Sequence, residues 1–564
     1  MKLPASFVVS RLKALFVPGV AALLAGCAGV GLMDRPVEVR ILAINDFHGN
    51  LEPPAGGVRI PDPDRPGASI TIPSGGAARL ASAIAERSAG SPNTVMVAAG
   101  DLIGASPLLS SMFQDEPTIE SLSQMGLALS AVGNHEFDEG LEELRRMQNG
   151  GCHPRVGCRG PAVFKGAGFR YLAASTIDDA TGRTVFPSHE IREFGGVKVA
   201  FIGLTLRGTP SLLAPSSRAG LTFLDEAESV NREVAQLKTQ GVEAFVVLIH
   251  EGGFNSAGDD KCEGLSGPIT EIIPKLDKAV DVIISGHTHR SYVCRIDGRL
   301  LTSASQYGTM FTDMSLTLDR RSRDIVRSDA QNVIVRTDLF AEDPLQRDLI
   351  GAYKRLAAPL MERSVGRLTA PLGYARDPAG ESDLGSVIAD AMREAAVIAT
   401  GQPFDVAFMN PGGIRGDLSK SGDVTFADLF AVQPFGNSLT ALTLTGSEIE
   451  AVLRQQFRTD GMKILHVSDG FSYRWRRQAD GSGVLVSGSV RVNGAPLNPE
   501  RAYRVVTNNF VASGGDGFTA FSVGRDVTPV GGDVEALETY LGAHSPVSAP
   551  ARGRVVLESG FDAR

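Results

Sequence analysis

Short apolar runs alternate with amphipathic stretches along the first half of the chain. Several of these runs are almost wholly apolar, as strands buried on both faces of a sheet should be. They predict strands at Val37–Ile44, Thr94–Ala99, Leu127–Val132, Val197–Gly203, Ala244–Ile249 and Asp281–Ser285. Together with the helical patterns between them, they predict an α/β sheet covered by helices.

A single amphipathic helix is predicted between Asp343 and Glu362, where apolar residues recur in steps of three and four. These residues are Leu345, Leu349, Tyr353, Leu356 and Leu360. The helix follows a polar segment that closes the first domain, so we expect it to connect two domains, as a chain of 564 residues requires. The predicted parts are a first domain over 37–330, a linker over 331–363 and an α+β domain over 364–564.

The first residues predict export. Lys2, Arg11 and Lys13 precede the apolar run Ala14–Leu24, which predicts a signal peptide over residues 1–26. The run is well short of the ~20 apolar residues that span a bilayer. Residues Leu24 to Cys27 resemble a bacterial lipoprotein signal.

That resemblance implies cleavage before Cys27, lipidation of its sulfur and a tether over residues 27–36. Two or more acyl chains would hold the protein stably on a membrane. Ala28 suggests the periplasmic side of the outer membrane in a bacterial cell envelope. A soluble periplasmic or secreted protein is the alternative.

Four other cysteines remain, and an even number in an exported chain favours two disulfides. Cys152 with Cys158 and Cys262 with Cys294 are the natural pairs, although the sequence permits three pairings. A zinc site made of the four cysteines is the alternative, but their spacing is irregular for one.

Metal-ligand residue types directly follow five of the apolar runs. In an open α/β sheet, ligands gather outside the carboxyl ends of the strands, so these side chains should converge. Any one of them alone would be a weak signal, but five of the nine histidines lie at such strand ends. The residues are Asp46 and His48, Asp101, Asn134 and His135, His250, and His287 and His289.

These segments resemble the five motifs of calcineurin-like metallophosphoesterases over about residues 37–310. The resemblance implies a four-layer α/β/β/α sandwich with two metal ions bridged by Asp101. The other ligands would be Asp46, His48 and His289 for one ion, and Asn134, His250 and His287 for the second. In nucleotidase relatives the position of His289 is often Gln.

Two divalent ions can lower the pKa of a bound water and neutralise the oxygens of a transferring phosphoryl group. Mixed His, Asp and Asn ligands suit Zn, Mn or Co, with Mg as a further option. His135 is expected to stabilise the transition state or to donate a proton to the leaving oxygen, oriented by Asp138. The alternative for this pair is a structural hydrogen bond in a loop.

The second half carries segments that fit a nucleotide. Segment 410–415 joins a glycine loop to an arginine, which suits phosphate contact. Two further segments place Phe435 and Phe510 beside turn residues, where they could sandwich a base, or could instead be core residues. The three segments resemble the C-terminal domain of the 5'-nucleotidase family over about residues 365–530.

That resemblance assigns a role to each matching residue. Arg415 would contact the substrate phosphate, and Asn410 a polar part of the nucleotide. Phe435 and Phe510 would contact the base, and Asp516 the ribose hydroxyls. The family's base-binding and metal-binding parts lie on different domains, which implies a domain rotation hinged near the predicted linker helix.

One departure from the family concerns arginines. Segment 381–386 resembles a motif that is usually preceded by arginines at one and three positions, but Gly380 and Pro378 stand there, with Arg376 nearby. The leading hypothesis is an exported 5'-nucleotidase-type hydrolase of small nucleotides. A 2',3'-cyclic-nucleotide 2'-phosphodiesterase/3'-nucleotidase, a UDP-sugar hydrolase and a non-catalytic nucleotide-binding lipoprotein are the alternatives.

Nucleic acid polymers are not expected as partners. The net charge is −9 and the pI is near 5.6, whereas polymer binders normally show clustered Lys and Arg. A small phosphate substrate is compatible with this charge, because metal ions supply positive charge locally.

Overall fold

The computed structural model describes residues 35–54, 57–62, 65, 69–213, 217–255, 260–458 and 461–558. The expected signal peptide, the lipidation site Cys27 and the tether as far as residue 34 lie outside these residues. Within the described ranges, no helix combines the length and the apolar character needed to cross a bilayer.

The first half of the chain folds into two mixed six-stranded sheets. Their orders are β17-β16-β1-β4-β5-β6 and β14-β15-β13-β12-β10-β9. The strands are β1 Val37–Ile44, β2 Val58–Pro61, β3 Ser69–Ile72, β4 Thr94–Ala98, β5 Leu127–Ala131, β6 Arg170–Leu172, β7 Thr176–Asp178, β8 Arg183–Thr184, β9 His189–Phe194, β10 Val197–Thr205, β11 Leu221–Phe223, β12 Ala244–His250, β13 Val280–Ser285, β14 Ser291–Ile296, β15 Arg299–Ala304, β16 Met310–Asp319 and β17 Asp324–Ile334.

The two sheets pack face to face and helices cover their outer faces. Val97 and Leu129 of the first sheet share a buried cluster with Val246 of the second. The helices are α1 Ala77–Ser88, α2 Leu108–Ser111, α3 Glu116–Gln124, α4 Leu141–Asn149, α5 Glu226–Lys238, α6 Pro268–Ile272 and α7 Pro344–Met361. This architecture confirms the predicted α/β/β/α sandwich, and all six predicted strands are present with ends shifted by at most two residues.

The linker helix α7 lies where it was predicted, but its buried face is shifted from the apolar stripe, with Tyr353 common to both. Leu345 and Leu356 are 62% and 50% exposed, whereas Gln346, Ile350, Tyr353 and Ala357 are buried. Gln346 and Tyr353 can be buried because their polar groups form hydrogen bonds with residues of α3. The Gln346 amide exchanges hydrogen bonds with Ser121 at 2.6 and 2.9 Å, and the Tyr353 hydroxyl donates to Glu120.

The second half forms an α+β domain, as predicted. Its main sheet has the order β24-β19-β29-β21-β30, with α8 and α12 packed on one face and β25 on the other. Its strands are β18 Ser364–Leu368, β19 Val406–Met409, β20 Gly422–Thr425, β21 Ser438–Thr445, β22 Phe457–Arg458, β23 Gly461–Met462, β24 His466–Val467, β25 Phe471–Arg477, β26 Gly483–Leu485, β27 Arg491–Val492, β28 Ala495–Pro496, β29 Ala502–Asn508, β30 Arg525–Gly532 and β31 Val555–Leu557. Its helices are α8 Asp383–Thr400, α9 Phe426–Val432, α10 Gly446–Arg454, α11 Asn509–Ala512 and α12 Asp533–Ala543.

Two disulfides join the cysteines in the predicted pairs. Cys152 and Cys158 close a loop after α4, with their Cα atoms 4.6 Å apart. Cys262 ties the segment after β12 to Cys294 of β14, with a Cα separation of 5.5 Å. Both disulfides belong to the first domain.

The two disulfides should differ in their contribution to stability, because they close loops of different length. The Cys262–Cys294 bond has a sequence separation of 32 residues and the Cys152–Cys158 bond one of 6. Replacing both cysteines of one pair by Ala is expected to lower the free energy of unfolding by about 3–4 kcal/mol for the long loop and by about 2 kcal/mol for the short loop. Unfolding in urea measures both losses, and an equal loss for the two pairs would contradict the expectation.

Candidate active site

The sequence-predicted ligands meet where the carboxyl ends of the two sheets come together. Asp46, His48, Asp101 and Asn134 follow strands β1, β4 and β5 of the first sheet. His250, His287 and His289 end or follow β12 and β13 of the second. Three groups hold donor atoms within 4.8 Å of one another: Asp46 with His48 and His289, Asp101 with His250 and His287, and His48 with Asp101 and His135.

Backbone strain marks the ligand segments. Asp46, His48 and Asp101 have φ near +50°, and His287 and His289 have φ of 71° and 55°. This left-handed region is costly for residues with a side chain and persists only where the surroundings enforce it. Hydrogen bonds between the segments do so: the amides of Asp46 and His48 donate to the carbonyls of Gly100 and Asp101, each at 3.0 Å.

Hydrogen bonds to carbonyl oxygens orient two of the histidines. His48 Nδ1 donates to the Gly104 carbonyl at 2.8 Å, and His250 Nδ1 donates to the Ala99 carbonyl at 2.7 Å. The Nε2 atom of each ring therefore faces the other ligands, as in metal sites whose histidines are held by outer partners. His48 Nε2 lies 3.2 Å from His289 Nε2, and His250 Nε2 lies 2.9 Å from Asp101 Oδ2.

The donor set fits divalent metal ions. Asn134 Oδ1 is buried and has no hydrogen-bond partner among the described residues, which a metal ion would supply. Burial lowers the pKa of His48 to about 3 and that of His287 to about 4, so both rings are neutral, as ligands must be. Burial opposes the charged form of His250 as well, but Asp101 raises its pKa to about 10, so a metal ion would displace a proton there.

Glu136 connects two ligand loops, and the sequence did not reveal this role. Its buried carboxylate accepts hydrogen bonds from the backbone amides of Asp101, Leu102 and Gly133, at 2.9, 2.7 and 2.6 Å. Burial, and next the charge of Asp101, raise the pKa of Glu136 to about 8. The loops also approach closely at Gly133, where a Cβ would lie 2.1 Å from Asp101 Oδ1.

His135 stands between the ligand cluster and the second domain. Its Nδ1 lies 2.7 Å from Asp138 Oδ2, so the carboxylate can orient the ring. Burial opposes protonation of His135, but the charges of Asp138 and Asp101 raise its pKa. The ring of Phe435 stacks on His135 at a centroid distance of 5.9 Å, and the Arg415 guanidinium lies 5.7 Å from the Phe435 centroid.

A cleft of about 260 Å³ between the domains brings the two sets of predicted residues together. Asn134, His287 and His289 line its first-domain wall, together with His135 and Asp138. The second-domain wall holds all five residues expected to bind substrate: Asn410, Arg415, Phe435, Phe510 and Asp516. The two phenylalanine rings do not contact each other, and each is half-buried.

The arginine at this cleft is available for an anion. Among the described residues, the Arg415 guanidinium has no hydrogen-bonding or ion-pairing carboxylate. At position 380, one of the two positions where the family usually carries arginine, a side chain has no room, because Gly380 has φ of 96° and a Cβ there would lie 2.7 Å from Ile464 Cβ. Close to Arg415, the Tyr374 hydroxyl donates a hydrogen bond to the Pro411 carbonyl at 2.8 Å.

Three polar residues that the sequence did not indicate as site residues lie on or beside the second-domain wall. Asn437 and Asn508 line the cleft, and Lys463 pairs with Asp516 at 2.7 Å. Asn437 and Asn508 lie inside segments that the sequence had singled out, so their amides were visible there. Lys463 lies outside every recognised motif, and no sequence signal indicated it.

Comparison with known proteins identifies both halves. The model of the calcineurin-like phosphoesterase family matches residues 39–291, and the model of the 5'-nucleotidase C-terminal domain matches residues 364–523. The 5'-nucleotidase precursor from Thermus thermophilus has a similar structure, with a TM-score of 0.72 and 26% identity over 93% of this chain and 100% of that one.

Two relatives from other bacteria are 31% identical to this chain. The cell wall protein Lmo0130 of Listeria monocytogenes aligns over 96% of this chain and 72% of its own length. The endonuclease YhcR of Bacillus subtilis aligns over 93% of this chain, which spans only 41% of that relative's length.

The metal-ligand cluster, the sandwich and these matches define the class of the protein as a metallophosphoesterase, a hydrolase of phosphoric esters that depends on divalent metal ions. With the second domain included, the chain belongs to the 5'-nucleotidase family.

Glu136→Gln should weaken metal binding without touching a ligand. The glutamine NH₂ group would face at least one backbone N–H donor, so at least one of the three hydrogen bonds that Glu136 accepts from the ligand loops would be lost. We expect a loss of about 10- to 100-fold in affinity for Mn²⁺, measured by titration of metal-free protein. Glu139→Gln is the matched control, since Glu139 is 66% exposed, and equal affinities of the two variants would contradict the assignment.

Proposed function

We propose that this chain hydrolyses the phosphate esters of small nucleotides, as a 5'-nucleotidase that converts a nucleoside monophosphate and water to a nucleoside and phosphate. The observation that carries the proposal is the shared cleft, in which a metal-ligand cluster faces the Arg415 guanidinium and two half-buried aromatic rings. That arrangement suits an ester with a phosphate at one end and a planar base at the other.

Seven residues would hold two metal ions. Asp101 would bridge them, Asp46, His48 and His289 would complete one site, and Asn134, His250 and His287 the other. When bound, divalent ions at such a site activate a water molecule and neutralise phosphoryl oxygens. Zn, Mn or Co fit these mixed ligands, with Mg as a further option.

The chain's own side chains would orient the ester and supply a proton. Arg415 would bind the phosphate oxygens through its planar guanidinium. His135, held by Asp138 through Nδ1, would donate a proton from Nε2 to the leaving ester oxygen. Phe435 and Phe510 would contact the base, Asn410 a polar edge of the nucleotide, and Asp516 the ribose hydroxyls.

The same proposal places the protein outside the cytoplasm. The two disulfides support an oxidising compartment, and the N-terminal sequence supports a lipid anchor at Cys27. We propose the boundaries 1–26, 27–36, 37–330, 331–363 and 364–564 for the signal peptide, tether, catalytic domain, linker and substrate-binding domain.

A 2',3'-cyclic-nucleotide 2'-phosphodiesterase with 3'-nucleotidase activity is the second candidate. It is favoured by the packing at Gly380, which excludes a family arginine and leaves fewer cations to bind a phosphate dianion. A cyclic phosphodiester carries one negative charge and needs less compensation.

A substrate panel separates these functions. Purified protein supplied with Mn²⁺ or Zn²⁺ is offered AMP, 3'-AMP, 2',3'-cyclic AMP and UDP-glucose, and phosphate or nucleoside release is measured. The proposal expects the highest kcat/KM for AMP and no turnover after chelation. A preference for the cyclic nucleotide would support the second candidate, and no turnover by the metal-loaded protein would leave the non-catalytic alternative.

His135→Ala tests the proton donor. We expect kcat on AMP to fall by about 10²- to 10⁴-fold while the protein still binds two metal ions. The loss should be smaller on p-nitrophenyl phosphate, whose leaving group needs no proton. His189→Ala, at a His–Glu pair in the same domain with a 2.9 Å contact, is the control, and equal losses on both substrates would contradict the role of His135.

A further inference from the structure

A series of hydrogen bonds runs along the second-domain wall of the cleft and ends at Lys463. Asn508 caps α11 by accepting from the Val511 amide, and its Nδ2 donates to Asn410 Oδ1 at 2.9 Å. Asn410 Nδ2 donates in turn to Asp516 Oδ2 at 2.7 Å. Lys463 Nζ donates to the other carboxylate oxygen, Asp516 Oδ1, also at 2.7 Å.

These contacts fix the orientation of the Asp516 carboxylate. Each oxygen accepts one protein donor, and a carboxylate oxygen can accept two, so each keeps one acceptor site. Asp516 lines the cleft and its side chain is only 12% exposed, while Lys463 approaches from a more exposed position. The backbone of Asp516 is left-handed, with φ of 56°, which places the side chain beside Asn410.

Lys463 also compensates the charge of Asp516. The cleft has to admit an anionic ester, and an uncompensated carboxylate on its wall would repel that ester. Lys463 contacts one oxygen of Asp516 and Asn410 the other, so the carboxylate presents two acceptor sites side by side. The Lys463–Asp516 pair together carries little net charge.

From this geometry we infer that Lys463 determines specificity for a ribose over a 2'-deoxyribose, by holding Asp516 so that its two oxygens accept from two neighbouring sugar hydroxyls. The inference rests on the proposed function and names the substrate class as ribonucleotides. Lys463 is a positioning residue, because it acts on the sugar through Asp516.

Lys463→Met provides the test. Its effect is measured as the ratio of kcat/KM for AMP to that for 2'-deoxyAMP, with metal-loaded enzyme. The variant leaves Asp516 tethered by Asn410 alone, so the ratio should fall about fivefold, the size of one partly exposed charged contact. KM should rise for both substrates because the compensating charge is lost, and Lys463→Arg should restore most of the ratio.

Lys238→Met is the matched control. Lys238 pairs with Asp277 at 2.9 Å and is 37% exposed, against 36% for Lys463, but it lies on α5 away from the cleft. This control variant should keep both the ratio and KM. Lys463→Gln serves as a second variant if Lys463→Met does not fold.

A double-mutant cycle with Asp516→Asn separates this role from a general one. If Lys463 acts through Asp516, replacing it in the Asp516→Asn background should not change the ratio further. An unchanged ratio in active Lys463→Met, or an equal fall in both backgrounds, would overturn the inference. A wild-type protein inactive on AMP would overturn the proposed function instead.

Discussion

The fold buries charged and polar side chains at the edge where its two sheets meet. Isolated charges are costly to bury, so each carboxylate there needs a partner. Asp101 Oδ2 lies 2.9 Å from His250 Nε2. The backbone amide of His287 donates to both carboxylate oxygens of Asp46, each at 3.0 Å. Glu136 has three backbone donors. The same contacts that make burial tolerable also bring the ligands together, so folding of this edge and metal binding are coupled.

In the proposed function, the two domains divide recognition of the substrate from its hydrolysis. The first domain fixes the metal ligands on strand ends, which are rigid supports, while the second presents its side chains on loops. One contact between the halves is made at His135 and Phe435, whose rings stack. Under the proposed function, the position of one domain against the other therefore decides whether His135 can reach an ester.

Sequence reasoning predicted the architecture well because the strands are apolar and end in unusual residues. It placed all the predicted metal ligands at one edge, because the apolar runs show where each strand ends and the carboxyl ends of parallel strands share one edge of a sheet. It placed α7 correctly but left Gln346 out of its buried face, because hydropathy cannot show that Gln346 makes two hydrogen bonds to Ser121. It also missed Glu136 as a connector and Lys463 altogether, because their roles arise from contacts between segments distant in sequence.

The packing at Gly380 has an evolutionary consequence. The backbone there is left-handed and Ile464 fills the space that a side chain would need. A single substitution at position 380 therefore cannot supply one of the arginines of relatives, since any side chain there would have to displace Ile464. Under the proposed function, added affinity for phosphate would come from other positions, such as the loops that carry Arg415 and Asp516.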